Sequence, residues 1–317
     1  MTQTSYGDPM VLELEDQFFD WNKVIIEDPI SNSYTPKGRS SFQETTSKVY
    51  FDDDGVKREL FIKLAPQNFF GPNPTQPLHL RKDQQNEDTI DGYQIGYPLT
   101  SFSTVDNPTE YEQATKYAFD SMFEVTCKAM ERFCSVKRSE CKVPAPTYSS
   151  FGAAKVDGDW TYAVKPLYVY QKSVDENTGE KIDDKTKPMK AYIKLKTRGK
   201  GKNIKCLTRI HGPGDKLTHP KELKDIRIEG YPVIQWEGVF WGTHGRNSHG
   251  ASLRLKVNDM NFTPTKDDDR RLCKYRILSP NTAPLPQEEE EEEQKSEEEE
   301  VIIVKKEKEE KELIIID

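Results

Sequence analysis

Residues 188–198, PMKAYIKLKTR, alternate polar and apolar side chains with a period of two. This pattern predicts a β-strand with one face in the core and the other in solvent. The predicted core face holds Ala191, Ile193 and Leu195. The predicted outer face is a row of cations around one aromatic ring: Lys190, Tyr192, Lys194, Lys196 and Arg198. This strand therefore predicts a sheet whose exposed surface is positively charged.

The segments on both sides of this strand also have the composition of β-strands. Residues 160–171, WTYAVKPLYVYQ, precede it, and DENTGE at 175–180 predicts a turn between the two. We expect such a hairpin to bring Tyr168 and Tyr170 beside Tyr192. Further strands are predicted at residues 203–210, 226–241, 251–257 and 272–278.

One long helix is predicted at residues 109–134, with Asn107 as its cap and Pro108 in its first turn. Its apolar residues recur at steps of three and four, which places them on one face that packs on a sheet. They are Tyr111, Ala114, Ala118, Met122, Val125, Ala129 and Phe133.

A hairpin is predicted at residues 46–64, because strand-like runs flank the Asp54-Gly55 pair. The four prolines of residues 65–88 predict a long irregular loop, and a short strand is expected at 90–97. The chain is therefore assigned to the α+β class, β-rich, with a curved antiparallel sheet or small barrel carrying one amphipathic helix. Its predicted parts are a leader at 1–45, a core at 46–278, and a linker with a disordered tail at 279–317.

The charge of the chain is divided into blocks of opposite sign. The 317 residues carry a formal charge of −8, yet residues 185–256 hold 17 basic and 5 acidic residues. This basic block lies between an acidic first part and an acidic tail. Such an asymmetry favours a polyanion-binding site more than the overall pI of 5.4 does. The alternative is that these lysines only keep the outer face of the sheet soluble.

Cations and exposed aromatic rings together are typical of proteins that bind single-stranded nucleic acid. The cations follow the phosphates, and the rings stack on unpaired bases. The basic row continues into RGKGKN at 198–203, which adds Lys200 and Lys202 as a flexible basic finger or a plain β-turn. The glycine-rich stretch GTHGRNSHG at 242–250 adds Arg246, and Trp241 enters it. The alternative is that the tyrosines lie in the core.

Other classes of protein are disfavoured by what the sequence lacks. No apolar run approaches the roughly 18–20 residues of a membrane-spanning helix, and the N-terminus does not resemble a signal peptide. The five cysteines form no C-x-x-C pair, so we expect reduced cytosolic thiols and no metal site. Neither a catalytic constellation nor a cofactor motif is apparent. The acidic triplets at 52–54 and 267–269 are interpreted as solvated turns, with magnesium binding in an enzyme as the alternative.

The tail combines acidic runs with aliphatic patches. Residues 287–317 hold 15 acidic and 5 basic residues, including six consecutive glutamates at 288–293. Repulsion between like charges keeps such a segment disordered in the absence of a partner. We expect the acidic run to compete with nucleic acid for the basic block. We expect the aliphatic end to bind replication proteins, through Leu313, Ile314, Ile315, Ile316 and Asp317. The alternative is a sticky terminus of low complexity without a specific partner.

The order of these elements resembles a known family. An early Trp-x-Lys (Trp21 and Lys23), a hairpin, the helix at 109–134 and lysine-rich hairpins resemble the single-stranded DNA-binding proteins of nucleocytoplasmic large DNA viruses, of the African swine fever virus type. The similarity covers roughly residues 20–278. The acidic tail and the proline-rich loop depart from that pattern.

The resemblance implies an OB-fold core and sequence-independent binding of single-stranded DNA, with RNA as the alternative ligand. It implies action in viral DNA replication, in the host cytoplasm or packaged in the virion, without enzymatic activity, cofactor or membrane. The competing hypothesis is a structural or virion scaffold protein that binds proteins and no nucleic acid.

Truncation after residue 286 tests the role of the tail. Removing 10 net negative charges is expected to tighten binding of single-stranded DNA, because the competing polyanion is gone. Fluorescence anisotropy of a labelled oligonucleotide measures the change. An unchanged or weaker affinity would contradict competition by the tail.

Overall fold

Two long antiparallel strands form the centre of the computed structural model, which describes residues 5–14, 19–34, 42–77, 80–135, 164–175, 178–241 and 250–265. The strands, in chain order, are β1 (Ser5–Tyr6), β2 (Met10–Leu12), β3 (Val24–Ile26), β4 (Ile30–Tyr34), β5 (Phe42–Asp53), β6 (Val56–Arg58), β7 (Leu60–Lys63), β8 (Gln67–Phe70), β9 (Asn73–Thr75), β10 (Gly92–Pro98), β11 (Tyr168–Val169), β12 (Gln171–Val174), β13 (Lys181–Asp184), β14 (Lys190–Leu195), β15 (Thr197–Arg198), β16 (Lys205–Cys206), β17 (Arg209–Gly212), β18 (Lys216–Leu217), β19 (Arg227–Trp241) and β20 (Ala251–Pro264). The α-helix of the described residues is α1 (Glu110–Ser135).

Sixteen of these strands belong to one sheet, whose main path is β1-β6-β5-β19-β20-β14-β10-β9. On one edge β19 pairs in turn with β5, β7 and β8, and on its other edge it pairs with β20. Among the described strands, β12 pairs only with β13, and β15 only with β16. The protein is thus β-rich with one helix in its described part, as the sequence predicts.

The sheet is mixed, which corrects the prediction of an antiparallel sheet. β14 runs parallel to β20, and β17 also runs parallel to β20. Parallel neighbours require a long crossover connection, and the chain between β14 and β20 is long enough to provide one. Irregular register in β19 between Val233 and Ile234, and between Trp236 and Gly238, bends the long central strand.

The core lies on one side of the central strands. Leu195, Val257 and Ile234 are neighbours in successive strands, and each is almost completely buried. The next row of the same ladder places Lys194, Lys256 and Gln235 on the opposite face. This alternation follows directly from the two-residue period of a strand.

The predicted hairpin at 46–64 is confirmed. β5 and β6 are joined at Asp54 and Gly55, which have φ angles of 51° and 89°. Two consecutive positive φ angles are typical of the type I′ turn that suits a two-residue hairpin loop. Residues 24–34, in the predicted leader, form β3 and β4, and both strands pair with β5.

The segment 65–88 is more regular than predicted. It contains β8 and β9, and β8 pairs with β19 through partners that include Phe69 and Ile228. Both of these side chains are buried, so pairing with a distant strand outweighs the local signal of the prolines. The predicted strand at 251–257 also extends further, to Pro264, and the strand predicted at 272–278 lies outside the described residues.

The predicted helix is confirmed, with two differences. Its start is capped by Thr109 rather than Asn107, because the hydroxyl of Thr109 accepts from Glu112 N while the Glu112 carboxylate accepts from Thr109 N. The buried face is centred on Phe119, Met122 and Met130, whereas Tyr111 is exposed. No helix in the described part of the chain has the length and apolarity needed to cross a membrane.

Glu112 joins the start of α1 to β8 and to the loop that follows β10. This buried carboxylate accepts hydrogen bonds from Gln67 Nε2 at 2.8 Å, from Ser101 N at 2.7 Å and from Thr104 Oγ1 at 2.8 Å, besides those from Thr109. Burial raises the pKa of Glu112, but these donors outweigh burial and leave the pKa below its usual value. The ionised form therefore stabilises the folded protein.

Glu112→Gln tests this role. Losing the charged acceptor is expected to lower the free energy of unfolding by about 2–3 kcal/mol at neutral pH. Because the folded pKa is lowered, the stabilisation in the wild type should be lost as the pH falls through that value, and the variant should lack this component. Urea denaturation across acidic pH measures both, with Glu110→Gln in the exposed first turn as the control. An unchanged stability and pH profile would contradict the assignment.

Candidate nucleic-acid interface

The alternation predicted for β14 is confirmed. Ala191, Ile193 and Leu195 are buried on the core side, and Tyr192 and Lys194 are exposed on the other. Lys190 lies on the same outer face and is half-buried. β14 thus presents one ring between two cations to solvent.

Three exposed aromatic rings surround a groove on this outer face. The groove has a volume of about 610 Å³ and runs over β8, β10 and β14. Phe70, Phe102 and Tyr192 line it, with 57%, 64% and 58% of their surfaces exposed. Exposing large apolar groups to water costs free energy. Several exposed rings around one concavity are therefore typical of a binding surface. We call this the aromatic groove.

Polar groups complete the lining of the aromatic groove. Two cationic side chains, Lys190 and Arg227, lie in it together with amide side chains. The amides are Asn68, Asn73 and Gln94. Arg227 is the ladder partner of Phe70, which places a cation and a ring side by side on neighbouring strands. Such a surface offers stacking, hydrogen bonding and positive charge at once.

Gly96 forms the floor of the groove beneath Tyr192. The two residues are direct partners in the antiparallel ladder between β10 and β14. A Cβ at position 96 would lie 3.5 Å from Tyr192 Cε1, an ordinary van der Waals distance, so the ring lies over the backbone of this residue. This contact fixes the position of the ring without burying it.

The loop that carries Phe102 is held in place by hydrogen bonds. Ser101 N donates to Glu112 and to Thr104 Oγ1, and the Ser101 and Thr104 hydroxyls lie 2.8 Å apart. The position of the third ring therefore depends on the buried carboxylate of α1.

A second hollow adjoins the aromatic groove on the other side of Tyr192. It has a volume of about 690 Å³ and is lined by Tyr168, Tyr170 and Tyr192 together with the start of the β12–β13 hairpin. Tyr170 is exposed, as predicted. Lys172, also in this hollow, forms an ion pair with Asp183.

Tyr168 does not share the outer face with Tyr192, which corrects the prediction. Its ladder partner is Ala191, so it faces α1. There its hydroxyl donates to Asp120 Oδ1 at 2.6 Å, and Lys116 Nζ lies 5.6 Å from the ring centroid. Burial and the neighbouring Asp120 raise the pKa of Tyr168. Its role is to attach β11 to the helix.

Trp241 is also unavailable for stacking, which is a second correction. Only 1% of its surface is exposed, and its Nε1 donates to Ser47 Oγ at 2.8 Å. Its ring packs edge-on against Phe133 of α1, with 5.2 Å between centroids. The inward position follows from the alternation of β19, which places this residue on the core face.

The ammonium of Lys196 is engaged within the protein, which corrects its assignment to the outward row of nucleic-acid-binding cations. Lys196 Nζ donates to Asn258 Oδ1 at 2.7 Å and to Gln235 Oε1, and it lies 5.6 Å from the centroid of the Phe61 ring. Lys196 thus contacts the middle of both β19 and β20.

The stretch 198–203 forms a turn that is bound to residues 88–90. Of the two predictions for this stretch, the plain turn therefore agrees with the structure and the flexible basic finger does not. Gly201 N donates to Ile90 O at 2.7 Å, and Lys202 pairs with Asp88 at 3.1 Å. Arg198 lies opposite Lys205 in the β15–β16 pair, and Lys200 is exposed beside it. None of these cations lines the aromatic groove.

The remaining predicted residues lie outside the described part of the chain. These are Arg246 in the glycine-rich stretch, the acidic triplet at 267–269, and Leu313, Ile314, Ile315, Ile316 and Asp317 in the tail.

The acidic triplet at 52–54 is used by its own hairpin. Asp52 Oδ1 accepts from Gly55 N at 2.7 Å, Asp53 pairs with Arg58 at 2.8 Å, and Asp54 pairs with Lys23 at 3.2 Å. Within the residues that the structure describes, no group of three or more metal-binding side chains converges. The predicted turn is observed, and each of its three carboxylates contacts a group of the protein.

Sequence reasoning missed Phe70, Phe102 and Arg227. The pair Phe69-Phe70 was a signal, because alternation buries one ring and exposes the other. Phe102 gave no signal, since a loop residue is brought to a strand only by the fold. Comparison of the chain with protein-family models and with curated proteins found no match.

The predicted effects of alanine substitution on stability differ in size between the buried Trp241 and the exposed Tyr192. Trp241→Ala should lower the free energy of unfolding by about 3–5 kcal/mol, because it removes a buried ring and its hydrogen bond. Tyr192→Ala should cost less than about 1 kcal/mol, because the ring is exposed. Chemical denaturation measures both. A larger loss for Tyr192→Ala than for Trp241→Ala would contradict these placements.

Proposed function

We propose that this protein binds single-stranded DNA independently of sequence and has no catalytic role. The observation that carries the proposal is the aromatic groove, where three exposed rings and two cations share one concavity. Unpaired bases stack on such rings at about 1–3 kcal/mol per base, and every base has a face to stack. The cations attract the phosphates.

The order of the strands around the sheet supports an OB-like core. The series β8, β19, β20, β14 and β10 is hydrogen-bonded from neighbour to neighbour. β10 then returns to the side of β8, where the Tyr97 and Phe69 ring centroids lie 6.0 Å apart and the Tyr97 hydroxyl donates to Ala65 O.

Numbered along the chain, the five strands follow the order first, fourth, fifth, third, second, with the third and fifth parallel. This order supports the proposed OB-like assignment, in which five strands form a partly open barrel. OB-folds bind oligonucleotides on the face of their second and third strands. Here those strands are β10 and β14, whose outer faces line the aromatic groove. The OB-like assignment and the location of the groove therefore support the same function.

The biological setting belongs to the same proposal. A role in viral DNA replication in the host cytoplasm depends on the resemblance described above. The competing hypothesis, a scaffold protein, would leave the groove without a nucleic-acid ligand.

Fluorescence anisotropy with labelled single-stranded DNA, duplex DNA and RNA at two salt concentrations tests the proposal. Binding should be strongest for single-stranded DNA and should not depend on base sequence. It should weaken as the salt concentration rises, because the lysines and arginines of the protein displace counterions from the DNA phosphates. If the protein binds RNA more tightly than single-stranded DNA, RNA is the ligand and the DNA assignment is wrong. Absence of binding to every single strand would refute the proposal and favour the scaffold.

Tyr192→Ala should weaken binding of single-stranded DNA by roughly 5- to 150-fold, the equivalent of one stacked base. Tyr117→Ala is the matched control, because Tyr117 is 64% exposed but lies on α1, away from the aromatic groove. Equal affinities for the two variants would show that the ring of Tyr192 does not contact the ligand.

A further inference from the structure

Two lysines lie side by side where the aromatic groove ends. Lys194 of β14 and Lys256 of β20 are ladder partners in adjacent parallel strands, so both side chains project from the outer face. Neighbouring strands are about 4.8 Å apart, which brings the two stems close together. On its other side, Lys194 pairs with Gln94 of β10, and Gln94 lines the aromatic groove.

No carboxylate of the described residues forms an ion pair with either lysine, and Glu237 and Asp91 act on Lys256 through their charge alone. The nearby Arg254, in contrast, is paired with Glu44 at 2.7 Å. Like charges directly opposite each other in a sheet are destabilising. The pair therefore creates a local positive potential that an anion would relieve.

The surroundings of Lys256 agree with this view. Lys256 is half-buried, and burial lowers the pKa of its ammonium. The charges of Lys194 and Arg254 act in the same direction, while the carboxylates of Glu237 and Asp91 act against it. A phosphate bound beside the pair would favour the charged form of Lys256, which burial disfavours.

We propose that Lys194 and Lys256 form a phosphate-binding subsite for the backbone of the DNA strand that occupies the aromatic groove. The inference rests on the proposed function and adds an orientation. The bases are turned toward β8 and the loop after β10, where Phe70 and Phe102 lie, and the phosphates are turned toward β20. Lys256 becomes a DNA-contacting residue outside the alternating stretch of β14.

The salt dependence of binding tests the subsite. Each phosphate contact to a single strand contributes about −0.7 to the slope of log K against log salt. Lys256→Gln and Lys194→Gln should each weaken binding and reduce the magnitude of that slope by about 0.7. Lys216→Gln is the control, because Lys216 is exposed on β18 and lies outside both the groove and the pair. Lys194 is exposed, so its variant is informative even if Lys256→Gln fails to fold.

The length of the oligonucleotide separates the subsite from the groove. Oligothymidylates of about 4 and about 16 nucleotides span the range of site sizes of OB-folds. Tyr192→Ala should weaken binding of both, whereas the lysine variants should affect the longer strand more strongly. If the wild type binds and Tyr192→Ala weakens binding but the slope of both lysine variants is unchanged, the subsite is refuted and the proposed function stands. If the wild type binds neither oligonucleotide, the proposed function itself fails.

Photochemical crosslinking tests the orientation. A strand that carries 5-iododeoxyuridine should crosslink through its base to Tyr192, Phe70 or Phe102. Crosslinks confined to residues of β20 would overturn the orientation, because they would place the bases over the lysine pair.

Discussion

The alignment of β14 between β10 and β20 is the constraint on which the rest of the structure depends. Ile193 pairs with Ile95 on one side, and Leu195 pairs with Val257 on the other, so the core is continuous across three strands. A shift of one residue would place these side chains in water and bring Lys194 into the interior. The hydrophobic contacts therefore also determine which residues face the solvent, and the candidate binding surface is a consequence of core packing.

A second constraint connects the helix to this surface. Glu112 is buried at the start of α1 and is fully engaged by donors from β8 and from the loop after β10. An ionised buried group requires such partners, because burying a charge without them is costly. The same contacts that satisfy the carboxylate fix the loop of Phe102, so helix capping and the shape of the groove depend on one residue.

Local patterns in the sequence were sufficient to predict the helix and strands. They were not sufficient to predict which strands lie next to each other in the sheet. The alternation at 190–195, the Asp54-Gly55 turn and the helix at 110–135 could be predicted because each depends on residues close in the chain. The inward position of Tyr168 could not, because its face is set by pairing with Ala191, a residue across an intervening hairpin. The position of Phe70 beside Arg227 likewise comes from the pairing of distant strands. The aromatic content of the site was predicted, whereas two of its three rings were found only in the folded chain.

The seam between β8 and β10 has a consequence for how the groove adapts. Within the described residues, these strands meet through side chains such as Phe69 and Tyr97 and share no ladder of hydrogen bonds. A seam of this kind can widen by small side-chain movements, whereas a hydrogen-bonded pair of strands has a fixed spacing. Phe70 and Tyr192 stand on opposite sides of it, so a wider seam would move the two rings apart. Purines and pyrimidines differ in width, and a gap of variable width is what the proposed binding without sequence preference would require.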